Sequence, residues 1–283
     1  MKYYIKVARP RNWLKNVFVF VPLFFSMEVS KAGKLIATLL AFITFCLISS
    51  AVYICNDIAD RKADAAHPIK KSRPIASGSL SVKNAALFAG ILTVFSLVMG
   101  FLINLWLGGI TVFYLILNLA YTWKLKHLPI IDCFCIATGF VLRVYAGGAA
   151  CQEPVSDWLF LTIVSMALFM AFGKRRGELL KVSPLATRQV LRQYDPQFLD
   201  GIVFACAGLS VTFYSLWALN RGCYMIYTVP LIIFIVAKYL QLIHMPDSHG
   251  DPTTVILQDK VLLCACGVYG ITATLLLYFG SGL

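Results

Sequence analysis

The chain has 283 residues, of which 59% are hydrophobic and 13% charged, with a mean hydropathy of +0.78; soluble domains hold roughly 45 to 50% apolar residues. That excludes a soluble globular enzyme and predicts a membrane protein. The formal net charge of +12 then reads as a topology signal, because short loops rich in Lys and Arg stay cytoplasmic.

Apolar stretches near the roughly 20 residues that cross a bilayer as a helix recur along the sequence. They predict nine spans, at 13–28, 35–55, 82–103, 106–123, 129–150, 157–173, 199–219, 223–243 and 260–279. The first is short, contains Pro22 and lacks a small-residue cleavage site, so it reads as a retained span and not a signal peptide. The longest polar connections run from Asn56 to Ser81 and from Lys174 to Gln197, and neither is long enough to bury a core of its own. The expectation is an all-α integral membrane bundle, a single membrane-embedded domain over residues 1–283, whose chemistry uses helices and loops. With a cytoplasmic N-terminus, only Lys31, Lys34 and Arg221 fall in outer loops. This predicts a multi-pass protein of the cell (inner) membrane with a cytoplasmic working face. Anionic lipid headgroups account for part of the positive field. No nucleic-acid partner is expected, and a homo-oligomer is compatible with the composition.

Span one opens on RPRNWLKN, which supplies Lys15 and Asn16. Lys15 reads either as a positive-inside anchor beside the interfacial Trp13 or as a substrate contact. After span two comes NDIADRKADAAHPIKKSRPIASG, Asn56 to Gly78. If the helix continues beyond Cys55, Asn56, Asp60 and Asp64 stack four apart on one face, with Asp57 close by. Hard oxygen ligands without a Cys or His pair suit Mg²⁺, which takes one or two carboxylates and completes its shell with water and substrate phosphate. A solvated helix end paired with Arg61 and Lys62 would use the same residues. What shifts the reading is the following Lys70, Lys71 and Arg73, on a backbone stiffened by Pro68 and Pro74 and turned at Gly78. Carboxylates for a metal beside cations for phosphate is what a magnesium–diphosphate substrate needs.

Further along, YTWKLKH ends span four with Tyr121, Lys124 and Lys126, lysines that topology alone also explains. Asp132 and Arg143 lie within span five, eleven residues apart and near one face over three turns. Charges at that depth either pair or line a polar cavity. Following span six, FGKRRGEL offers Lys174, Arg175 and Glu178. Lys174 and Glu178 have the spacing of a surface helix pair, while the planar fork of Arg175 suits phosphate oxygens. Nine cysteines sit in or beside apolar spans without C-x-x-C spacing and read as small buried hydrophobes. His67, His127, His244 and His249 form no ligand set by spacing.

Taken together, RPRNWLKN, NDIADRKADAAHPIKKSRPIASG, YTWKLKHLPIID, GFVLRVYAGG and FGKRRGEL resemble the UbiA-type superfamily of intramembrane prenyltransferases. The resemblance covers nearly the full length and is closest to the polyprenyl-phosphate (decaprenyl-phosphate) phosphoribosyltransferase branch. It implies a nine-helix bundle with cytoplasmic active-site loops and the metal motif on Asn56, Asp60 and Asp64, supported by Asp57. It also implies substrate contacts at Lys15, Asn16, Lys70, Lys71, Arg73, Tyr121, Lys124, Lys126, Asp132, Arg143, Lys174 and Arg175. Ordinary members resemble one another in a second aspartate-rich motif after helix six, where this chain has Lys174, Arg175 and Arg176. One acidic cluster and two basic loops suit more phosphate and less metal. The implied reaction is Mg²⁺-dependent transfer of 5-phosphoribosyl from phosphoribosyl pyrophosphate to a polyprenyl phosphate. Prenyl transfer from a prenyl diphosphate to an aromatic acceptor shares the fold and the first metal motif. A transporter would instead place its charges near the bilayer midplane.

Overall fold

The long apolar runs form helices because each must satisfy its backbone within itself in lipid. The structure, a computed structural model, describes residues 2–68, 70–181, 189–222, 224–245 and 252–279. His249 lies outside the described residues, as do residues 182–188 of the predicted loop after span six. In chain order the α-helices are α1 (Lys2–Ala8), α2 (Val21–Phe25), α3 (Ala32–Ala59), α4 (Arg61–Ala66), α5 (Val82–Ile103), α6 (Leu105–Trp123) and α7 (Ile131–Cys151). They continue as α8 (Asp157–Lys181), α9 (Pro196–Arg221), α10 (Val229–His244), α11 (Pro252–Gln258) and α12 (Lys260–Phe279). All regular elements among the described residues are helical.

Eight helices are long and apolar enough to cross a membrane among the described residues. The stretch predicted as the first span differs. Residues Pro10–Phe20 form a 3₁₀ helix that leads into the five-residue α2. At about 2.0 Å per residue, the 3₁₀ segment extends roughly 22 Å, further than an α-helix of equal length. The hydropathy pattern cannot register that change, because it counts residues and not rise. Helix starts follow local chemistry: Ser81 caps α5 by accepting from Asn84 N at 3.2 Å, and Asp195 caps α9 by accepting from Phe198 N at 2.9 Å. Asn104, in an extended conformation, separates α5 from α6 and caps the latter through Trp106 N at 2.7 Å.

The chain divides into two compact units, one of Met1–Leu128 with Gly139–Val155 and the other of Pro129–Thr138 with Ser156–Leu283. In the first unit, Phe45, Ile48, Leu107, Tyr114 and Ala146 form a buried core with Val19 of the 3₁₀ segment. Gly147 makes the approach possible: a Cβ there would lie 1.8 Å from the Val19 carbonyl oxygen. A second cluster seats the polar loop. Ile75 and Leu80 are buried against Val7, Ile54, Ala85 and Ala89, while Gly78 takes a left-handed turn at φ 77°. The second unit packs α8 with α9 and α10, including an edge-on contact of Phe169 and Tyr239 at 5.2 Å. Burial is greatest where the charges are. In the most apolar window of α3 and of α7, 56% is buried, against 17% for α5, and these two helices carry Asp57, Asp132 and Arg143.

The eight described cysteines are free thiols, four of them buried, as small hydrophobes should be. Cys223 lies outside the described residues.

Candidate active site

The site begins where α3 ends. The helix stops at Ala59, Asp60 adopts φ −88° and ψ 4°, and α4 follows. The i→i−4 ladder nevertheless survives the break, with Asp60 N–H on Asn56 O at 2.9 Å and Asp64 N–H on Asp60 O at 2.8 Å. The four-residue spacing therefore keeps its near-helical rise across a kink that the sequence pattern does not reveal. Asp57 and Asp64 are buried, whereas Asn56 and Asp60 are half-exposed.

Each of the three aspartates is held by a cation. Arg9 and Arg73 both donate to Asp57 Oδ1, Arg73 from Nη1 at 3.0 Å. The same Arg73 Nη1 donates to Asp64 Oδ2 at 2.5 Å, and Lys126 Nζ donates to Asp60 Oδ1 at 2.5 Å. Three carboxylates thus meet three cations within the first unit. Burying the carboxylates unpaired would cost several kcal/mol each, so this arrangement is what lets the cluster exist at the end of an apolar helix.

Arg9 is the partner that sequence reasoning missed. The RPRNWLKN motif drew attention to Lys15 and Asn16, yet it is Arg9, in a left-handed conformation at φ 53°, that reaches Asp57 and lies over the Tyr53 ring at 5.3 Å. The only sequence signal was a cation directly before Pro10. Such strained non-glycine backbone tends to persist where the surroundings over-determine it.

Asn16 and Arg143, for which the resemblance implies substrate contact, are joined to each other. Arg143 Nε donates to Asn16 Oδ1 at 2.7 Å, Nη1 to Gly139 O at 2.6 Å and Nη2 to Tyr114 Oη at 3.0 Å. Asn16, fully buried, donates in turn to Ser49 Oγ and Cys46 Sγ, each at 3.3 Å. The pair cross-links the 3₁₀ segment to α3, α6 and α7 inside the first unit. Lys15, Lys70 and Tyr121 are half-exposed, and Lys71 and Lys124 exposed. His67 Nδ1 accepts from Lys70 N at 3.3 Å, and burial followed by the charge on Lys70 pushes its pKa down, which keeps the ring neutral and fit to accept.

In the second unit Asp132 and Arg175 form a buried ion pair. Arg175 Nε donates to Asp132 Oδ2 at 2.5 Å and its Nη1 to Glu178 Oε2 at 2.6 Å, with Arg175 1% exposed. Tyr194 donates to Asp132 Oδ1 at 2.7 Å and accepts from Ile130 N at 2.6 Å. Burial raises the Tyr194 pKa, so the hydroxyl remains a donor. The Arg175 fork, predicted to reach phosphate, meets two carboxylates here, as a charge buried to that degree needs an ionic partner. Arg176 likewise pairs with Asp200 and with Ile243 O. Lys174 is half-exposed.

The donor chemistry of the first unit suits a hard cation. Two buried carboxylates already converge on a single cationic nitrogen, and Asn56 and Asp60 precede Asp64 at helical spacing. No group of three or more His, Cys, Asp or Glu side chains gathered to hold a metal occurs among the described residues.

A family model described as the UbiA prenyltransferase family matches residues 18–261. The chain belongs to the UbiA prenyltransferase family. Among its UbiA relatives, decaprenyl-phosphate phosphoribosyltransferase of Mycolicibacterium smegmatis is 34% identical over 276 residues, covering 91% of this chain and 87% of the relative. The protein of the same description from Corynebacterium glutamicum is 35% identical, covering 91% and 81%. The solved structure of a UbiA homologue from Archaeoglobus fulgidus bound to GPP and Mg²⁺ superposes with a TM-score of 0.75 at 19% identity, covering 99% of this chain and 98% of that one. That likeness establishes the UbiA fold, and the chain is a multi-pass membrane protein.

Proposed function

We propose that the chain transfers 5-phosphoribosyl from phosphoribosyl pyrophosphate to a polyprenyl phosphate such as decaprenyl phosphate, releasing pyrophosphate. The observation that carries the reading is the likeness, over 91% of the chain, to two decaprenyl-phosphate phosphoribosyltransferases. The cluster around Asp60 supplies suitable chemistry. Asn56, Asp60 and Asp64 would hold Mg²⁺, with Asp57 in support through Arg9 and Arg73. When bound, the ion neutralises negative charge on the leaving pyrophosphate.

The protein's own cations then divide the work. Arg73 and Lys126, which contact the motif carboxylates, place positive charge where donor phosphate must approach. Lys15, Lys70, Lys71, Tyr121, Lys124 and Lys174 are the further candidates for donor or lipid phosphate. An oxygen of the lipid phosphate forms the bond to ribose C1 as the bond from C1 to the pyrophosphate oxygen breaks, and its electron pair leaves with pyrophosphate. The acceptor is an anion at neutral pH, so no protein base has to take a proton. The polyprenyl chain would lie along the apolar spans, and the soluble donor would arrive from the cytoplasm, the side to which the basic loops are assigned.

The test is to incubate purified protein with ribose-labelled phosphoribosyl pyrophosphate, Mg²⁺ and polyprenyl phosphate. Label should enter the organic phase only when all three are present. Label remaining wholly aqueous would reject the reaction.

A further inference from the structure

We propose that Arg73 couples metal binding to donor binding: it bridges Asp57 and Asp64 in the donor-free enzyme and moves to a donor phosphate when metal and donor bind together. The inference rests on the phosphoribosyl-transfer reading for the identity of the donor, but not for the exchange of cations. A single nitrogen, Arg73 Nη1, lies 3.0 Å from Asp57 Oδ1 and 2.5 Å from Asp64 Oδ2, and both carboxylates are buried. Two facing buried carboxylates require a cation between them. A divalent ion held by Asn56, Asp60 and Asp64 would compete with Arg73 for Asp64 and face the guanidinium, and two cations there repel. One must leave when the other binds.

Arg73 is built to leave. Its side chain is 28% exposed, and its backbone stays anchored. Arg73 N–H donates to Lys70 O at 2.9 Å, Ser77 N–H donates to Arg73 O at 2.9 Å, and Pro74 and Ile75 behind it are buried. Its Nε and Nη2 have no hydrogen-bond partner among the described residues, so part of the planar fork is open to phosphate oxygens. Asp57 can spare the contact because Arg9 shares its Oδ1. Asp64 has Arg73 as its one side-chain partner among the described residues, so it becomes available when Arg73 turns away. Metal on Asp64 would leave Arg73 only Asp57, whose Oδ1 it already shares with Arg9; a diphosphate supplies a fuller counter-ion. The metal therefore binds weakly alone and firmly with donor.

Mn²⁺, detected by electron paramagnetic resonance on the whole protein in detergent without donor, tests this. Arg73→Gln should bind Mn²⁺ about tenfold more tightly than wild type, a typical size for coupling between two ligands. Arg73→Lys, which keeps the charge, should resemble wild type, and Asp64→Asn should bind more weakly. Thermal unfolding covers the case in which Arg73→Gln is too unstable to titrate, since Mn²⁺ should then raise its midpoint more than that of wild type. Equal or weaker Mn²⁺ affinity in Arg73→Gln, or no larger Mn²⁺ stabilisation, would overturn the role. The tightening without any phosphoribosyl transfer by wild type would reject the reaction and leave the exchange standing; transfer without the tightening would do the reverse.

Discussion

Replacing Asp64 by Asn is expected to lower turnover by a factor of about a hundred or more, the scale on which one preorganised electrostatic contact contributes to a transition state. The substitution keeps the size of the side chain but removes a buried charge that Arg73 contacts at 2.5 Å. Asp60→Asn should behave similarly, with less disturbance of packing, because Asp60 is half-exposed and its partner Lys126 comes from the turn after α6. Steady-state transfer assays on monodisperse protein, repeated in EDTA, check both. Full activity of either variant, or of wild type without divalent metal, would contradict the assignment.

The second large effect concerns stability and lies in the other unit. Arg175→Ala leaves Asp132 buried without its ionic partner and should destabilise the protein by about 3 to 5 kcal/mol, the usual cost of breaking a buried pair from one side. Tyr194 continues to donate to Asp132 Oδ1, but one neutral hydrogen bond does not replace a guanidinium. The double variant Arg175→Met with Asp132→Asn removes both charges and should recover much of the loss. Thermal unfolding in detergent reads this directly. If Arg175→Ala unfolds at the wild-type temperature while donor binding collapses, Arg175 contacts substrate after all, and the structural role is wrong.

The two substitutions mark what was legible in the sequence. Helix positions were, because a bilayer imposes a length on every apolar run; α5 at Val82–Ile103 matches its predicted span, residue for residue. The first span was not, since residues Pro10–Phe20 adopt a 3₁₀ helix whose rise leaves no trace in hydropathy. Aspartates four apart announced the cluster, because helical spacing is a local property. Which cation meets which carboxylate was hidden, because those pairings are long-range: Arg9 with Asp57, and Lys126 with Asp60, are separated by 48 and 66 positions. Arg175 shows the same limit from the other direction. Its planar fork suggested a phosphate contact, and its partner Asp132, 43 positions earlier, could not be read from the local pattern. Two of the three cations in KRR are paired, Arg175 with Asp132 and Glu178 and Arg176 with Asp200, partners that the local sequence pattern does not announce.

The bond that breaks decides between phosphoribosyl transfer and prenyl transfer on the same fold. Polyprenyl phosphate carrying ¹⁸O in the prenyl–oxygen bridge is incubated with the protein, phosphoribosyl pyrophosphate and Mg²⁺, and the lipid product is analysed by mass spectrometry. Phosphoribosyl transfer cleaves only the sugar C1–oxygen bond, so the product retains the label, gains one phosphoribosyl unit and does not form without the donor. Formation of a prenylated aromatic from prenyl diphosphate alone, with the prenyl–oxygen bond broken, would contradict the account.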